Sequence, residues 1–155
     1  GFYSDIDQIC KIPIHQFIPC NTEFVISTRH SSRPSPISAT NNALIGVRPG
    51  CEIMRHLLYG VCGNVIKLSQ DKKGRKILDE SKGHAITGPW IIAKLLNKFV
   101  GRRADRQWNK GAQNLKGTKA FFPEHLPKTG FFVNGTFVIQ EKYDGYEKAK
   151  EQVQK

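Results

Sequence analysis

The chain reads as an α/β protein, a mixed sheet flanked by helices, and three observations carry that expectation. Short β-branched and aromatic runs at residues 23–27, 41–47 and 119–123 have the composition of buried strands. Amphipathic stretches beginning near residues 49 and 89 have the period of helices packed on such a sheet. Near the end, apolar arms on either side of Asn134-Gly135 form the strongest hairpin signal in the sequence. With 39% hydrophobic residues, 155 residues suffice for one domain with a core of its own.

The first stretch, Gly1-Phe2-Tyr3-Ser4-Asp5-Ile6-Asp7, is an apolar run that ends in two carboxylates one residue apart. Residues i and i+2 of a strand share a side, so Asp5 and Asp7 can aim at one spot. If the strand ends at Ile6, Asp7 sits on the turn and can bend towards the same cation. Two hard oxygen ligands suit Mg²⁺ or Mn²⁺, which fill their remaining positions with water and phosphate oxygens. The same residues also suit a plain turn after a strand.

Residues 8–14 continue as a short strand and a Pro-marked turn, broken at 19–21, before the strand at 23–27. Residues 30–38, with Pro34 and Pro36, read as an irregular surface loop, either a connector or a loop over a ligand cleft. After the strand at 41–47, Arg48-Pro49-Gly50 opens a helix with Pro49 near its first turn. Ile53, Met54, Leu57, Leu58 and Val61 form its apolar stripe, and Gly60 and Gly63 are expected to end it. Residues 70–82 are charged and solvated, with one apolar contact at Ile77-Leu78.

Thr87-Gly88-Pro89 introduces the clearest helix, with Thr87 or Gly88 as cap and Pro89 in the first turn. Its N-terminus offers free N–H groups and the positive end of the dipole, which suits a phosphate or sugar oxygen. Residues 101–119 are basic and apolar-poor, with Trp108 the one aromatic among them, and read as a loop or insertion. Residues 143–155 are a polar tail. Asn134-Gly135-Thr136 has the form of a glycosylation sequon, but Asn-Gly there reads better as a turn.

A net charge of +11 favours an anionic partner of some kind. One aromatic in the basic segment is too few for a nucleic-acid stacking platform, and no binding motif accompanies it. Cys10, Cys20, Cys51 and Cys62 form no C-x-x-C pair, so a zinc site is not expected; four buried thiols and two disulfides both remain open. No apolar run is long enough to span a membrane. Of the five histidines only His84, three residues before Thr87, lies near the proposed site, and His56 reads as structural.

The opening stretch, followed by Lys11-Ile12-Pro13-Ile14, resembles the G-x-Y-x-D-x-D…P-L/I pattern of glycosyltransferases that carry the DXD sugar-binding motif. That family includes initiating α-1,6-mannosyltransferases and capsular-polysaccharide sugar transferases. Residues 41–46 resemble its later Asn-containing strand, and Thr87-Gly88-Pro89 its T-G-P helix start. The resemblance runs over about residues 1–100 and implies a GT-A-like fold. Because the family's nucleotide-binding strands precede the D-x-D, it also implies the C-terminal part of a catalytic domain, lacking its N-terminal part.

The activity implied is metal-dependent transfer of a hexose, mannose or similar, from a nucleotide-diphosphate sugar to a glycan or lipid-linked acceptor, with retention. Asp5 and Asp7 would hold Mn²⁺ or Mg²⁺, Asp5 also touching ribose or sugar hydroxyls. Tyr3 would pack near the nucleotide, Asn41 or Asn42 would bond the sugar, and Thr87, Gly88 and Pro89 would present a helix N-terminus to it. No nucleic-acid partner is implied. The location implied is the Golgi in a eukaryote and the cytoplasm in a bacterium or virus.

The sequence departs from the family where Gln140-Glu141-Lys142-Tyr143-Asp144-Gly145-Tyr146 stands in place of a His-containing segment. An inactive or incomplete relative is therefore one rival reading, and a basic nucleic-acid-binding module is another. A metal-dependent phosphohydrolase would need a further acidic cluster that the sequence lacks.

Overall fold

In the computed structural model, which describes residues 1–5, 8–29, 40–80, 86–104 and 106–142, nine strands form one mixed sheet that curls into a nearly closed barrel. The elements in chain order are β1 (Phe2–Ser4), β2 (Gln8–Cys10), α1 (Ile14–Phe17), β3 (Phe24–Arg29), β4 (Asn41–Val47), α2 (Glu52–Ser69) and α3 (Lys72–Glu80). They continue with α4 (Pro89–Phe99), β5 (Gly111–Leu115), β6 (Thr118–Phe122), β7 (Glu124–Leu126), β8 (Gly130–Val133) and β9 (Thr136–Glu141).

The strand order is β1-β4-β3-β7-β8-β9-β2, with β5 and β6 branching from β3. β3 is long enough to take two partners along one side. Phe24 and Val25 pair in parallel with β6, and Thr28 and Arg29 with β7, which follows β6 after Pro123. The other described pairings are antiparallel. This overturns the expected GT-A-like sheet flanked by helices. The reason lies in the two edges: β1 and β2 occupy opposite ends of the strand order but are neighbours in sequence, so the sheet must bend until they meet.

Alternation along β3 and β6 divides the apolar side chains between two cores. Phe24, Ile26, Ala120 and Phe122 face α2 and α4, where they meet Ile53, Leu57, Ile92 and Leu96. Val25 and Phe121 point into the barrel, with Phe17, Leu44, Phe131, Val138 and Ile139. Helices thus cover one face of the sheet, and the other face closes on itself.

Several local expectations hold. The 41–47 strand has the expected bounds, and α4 starts at Pro89 with Gly88 as its N-cap residue. Asn134 (φ 50°) and Gly135 (φ 80°) take the two left-handed positions of a tight turn between β8 and β9. Others do not. Pro49 lies in the turn before α2, whose N-cap is Cys51, and the helix runs through both Gly60 and Gly63 to Ser69. Gly60 is kept by packing: a Cβ there would come within 2.5 Å of a Leu95 methyl on α4. The charged run at 72–80 is solvated as expected, with Leu78 half-buried, though it is helical and forms α3. The basic 101–119 segment contains β5 and the start of β6, and its Trp108 is buried, stacked at 5.2 Å on Phe122. All four cysteines are free; Cys51 is half-buried and the others exposed, so neither buried thiols nor disulfides describe them. The 30–38 loop, His84 and the 143–155 tail fall outside the described residues.

Candidate functional site at the barrel seam

β1 and β2 are the two edges that meet at the seam, so Asp5, directly after β1, lies where the barrel closes. Asp5 is held there by its backbone: its N–H donates to Ala43 O at 3.1 Å, and its carbonyl accepts from Gln8 N–H at 3.2 Å. Ser4 Oγ–H donates to Gln8 Oε1 at 2.5 Å, a second bond across the seam. The Asp5 carboxylate is oriented by the Tyr3 hydroxyl, which donates to Oδ1 at 2.7 Å. Tyr3 itself is largely exposed, at 56%. Asp7 lies outside the described residues.

β4 delivers the next groups. Its register against β3 shifts between Ile26 and Ser27, so Ser27 pairs with Asn41 while Ile26 pairs with Ile45. The intervening residues bulge, as strands often do beside functional sites. Ser27 Oγ–H anchors the bulge by donating to Asn41 O at 2.8 Å. Asn41 Oδ1 accepts from Ala43 N–H at 3.0 Å, which fixes which end of the amide faces inward. Asn42 is half-buried on the same bulge.

α4 arrives at the same end. Buried Thr40 donates to Pro89 O at 3.1 Å, tying the first turn of α4 to the residue before Asn41. Thr87 is exposed, and Gly88 and Pro89 are half-buried, at that helix start. Three residues of chain reach at most about 11 Å, so this tie holds the T-G-P turn close to Ala43, and through it to Asp5.

Beneath lies a buried polar chain that sequence reasoning missed. His125 of β7 is 4% exposed. Its Nε2 is 2.6 Å from Glu141 Oε1 at the end of β9, and its Nδ1 is 2.9 Å from Asn41 Nδ2. Asn41 Nδ2 also lies 3.3 Å from Nε2. Because Asn41 presents its NH₂ and Glu141 its carboxylate, the imidazole fits as the Nε2–H form, with Nδ1 accepting. Glu141 Oε2 accepts in addition from Lys128 N–H at 3.2 Å.

Thus His125 is a histidine at this end; His84 lies outside the described residues. Glu141, at the end of β9, contacts His125 directly. No local pattern flags His125 between Glu124 and Leu126; the one available cue was a titratable residue on an otherwise core-facing strand. Gln8 Nε2, buried beside Glu141's strand partner position, has no hydrogen-bond partner within the described structure.

Among the described residues no group of three or more His, Cys, Asp or Glu could hold a metal ion by itself. Of the two carboxylates expected to hold a cation, Asp5 is the one described. No helix among the described residues is long and apolar enough to cross a membrane. Comparison with family models, curated proteins and solved structures yielded no match to this chain.

Proposed function

We propose that the chain binds a nucleotide-diphosphate sugar at the barrel seam and transfers its hexose, in the manner of the metal-dependent glycosyltransferases its sequence resembles. The observation that supports this reading is convergence. Asp5, Asn41 and the Thr87-Gly88-Pro89 turn are far apart in sequence, yet they meet at one end of the barrel through the Asp5–Ala43 and Thr40–Pro89 hydrogen bonds.

Asp5 would hold Mn²⁺ or Mg²⁺, with Asp7 joining it on the strength of the sequence. When bound, the ion offsets the negative charge that grows on the leaving diphosphate. Tyr3 keeps the Asp5 carboxylate in place and offers an exposed ring beside it. The start of α4 would turn the positive end of its dipole towards sugar or phosphate oxygens. Asn41 and Asn42 supply amides for sugar hydroxyls, and the His125–Glu141 pair holds Asn41 from behind.

The nucleic-acid reading gains nothing, because Trp108 is turned inward under the Arg102 guanidinium, 4.5 Å from its ring centre. Metal-dependent hydrolysis of UDP- and GDP-hexoses tests the proposal. Release of diphosphate nucleotide by the parent and not by Asp5→Asn supports it. No release with any donor, from a folded protein, leaves the inactive-relative reading in its place.

A further inference from the structure

On its side away from the sheet, α2 presents an outward face that no described residue covers. At 100° per residue, Arg55, Leu58, Tyr59, Cys62 and Ile66 fall within an arc of about 100°, opposite the buried Ile53 and Leu57. Leu58 and Ile66 are each 58% exposed and Tyr59 is 74% exposed. Isolated exposed apolar residues are ordinary, but a ridge of them two turns long on one helix is not.

Beside this ridge is a groove of about 600 Å³ walled by Val47, Met54, Leu58 and Tyr59, with Arg48 and Arg55 also lining it. Lys67 sits on the last turn of α2. The next helix, α3, adds Lys72, Lys73, Arg75 and Lys76, all exposed. Only Glu52, Asp71, Asp79 and Glu80 oppose these seven cations, and two of the acids already pair with Arg55 and Lys76.

We infer that this face docks on the surface of an anionic phospholipid bilayer. A helix lying in the interface plane inserts an apolar ridge to the acyl boundary while flanking cations meet the headgroups. Leu58, Cys62 and Ile66 supply the ridge, and Tyr59 places an amphipathic ring where one end is wet and the other is not. Charge complementarity selects this occupant over a second copy of the chain, since pairing two such faces would bring both sets of cations together. The inference does not depend on the proposed activity, because none of Leu58, Tyr59, Cys62 and Ile66 belongs to the seam site.

The test is co-sedimentation of the full chain with vesicles of phosphatidylcholine alone and of phosphatidylcholine mixed with phosphatidylserine. Adhesion of a chain with net charge +11 could occur through charge alone, so the deciding variant keeps every charge: Leu58→Ser with Tyr59→Ser and Ile66→Ser. All three side chains are exposed, so circular dichroism should match the parent. Binding to the mixed vesicles, with little to phosphatidylcholine alone, is expected to fall by about tenfold in the triple variant. Arg48→Gln with Arg55→Gln is expected to weaken it further at low salt. Equal binding by the triple variant and the parent would overturn the inference, as would no vesicle binding by the parent. A parent dimer dispersed by the triple variant, without vesicle binding, would assign the face to self-association instead.

Discussion

Replacing Glu141 by Ala probes whether the barrel end is built as described. The carboxylate and the His125 ring are both nearly dry, with side chains 8% and 6% exposed and 2.6 Å between Oε1 and Nε2. Removing the carboxylate strands an imidazole N–H in the interior. Losing a buried hydrogen bond to a carboxylate and leaving its donor unsatisfied costs about 3 kcal/mol. The bond from Lys128 N–H adds little, because that exposed residue can turn to water. In a domain of this size, about 3 kcal/mol lowers Tm by roughly 6–12 °C.

Glu141→Gln keeps an acceptor for His125 and gives up only the charge, so about 1 kcal/mol is expected. Urea denaturation followed by circular dichroism measures both. A nitrogen-15 spectrum of the imidazole should show the Nε2–H tautomer in the parent. If Glu141→Ala costs less than about 0.5 kcal/mol, within the range of an ordinary surface change, the reasoning that joins β7, β9 and Asn41 into one buried network is refuted.

Other substitutions test separate parts of the account. Asp5→Asn should leave urea stability within about 1 kcal/mol of the parent, since it weakens one exposed hydrogen bond to Tyr3, while metal-dependent nucleotide binding by calorimetry disappears. Gly130→Ala should destabilise by well over 2 kcal/mol, because φ is 138° and the new Cβ would lie 2.0 Å from Ile139 O; a soluble, parent-like variant would contradict the β8–β9 register. Trp108→Ala should cost about 3–5 kcal/mol by emptying the space over Phe122. A surface-exposed, nucleic-acid-stacking Trp108 would instead give a stable variant with lost binding.

Much of the local structure was legible because it rests on short-range chemistry. Asn134-Gly135 dictates its turn, Pro89 after Gly88 dictates a helix start, and β-branched residues mark β4. The closed barrel was not legible, because it depends on pairing strands that are distant in sequence. Nothing in Gly1–Cys10 says that two short strands so near in sequence will form the two edges of one sheet. α2 outlasted its glycines because Gly60 is chosen for contact with Leu95, a tertiary reason that periodicity cannot register. The site divides the same way. Tyr3, Asp5, Asn41 and Pro89 were visible through motif resemblance, whereas His125 and Glu141 acquire meaning only when β7 and β9 are brought beside β4.

The most direct measurement is titration of Mn²⁺ with UDP and GDP, followed by the water-proton relaxation of the bound ion, in the parent, Asp5→Asn and Asp7→Asn. The account predicts enhanced relaxation only when protein, Mn²⁺ and nucleoside diphosphate are all present, and its loss in both variants with the fold intact. Parent-like enhancement in both variants, or none in the parent with either nucleotide, would contradict a nucleotide-sugar site at the barrel seam.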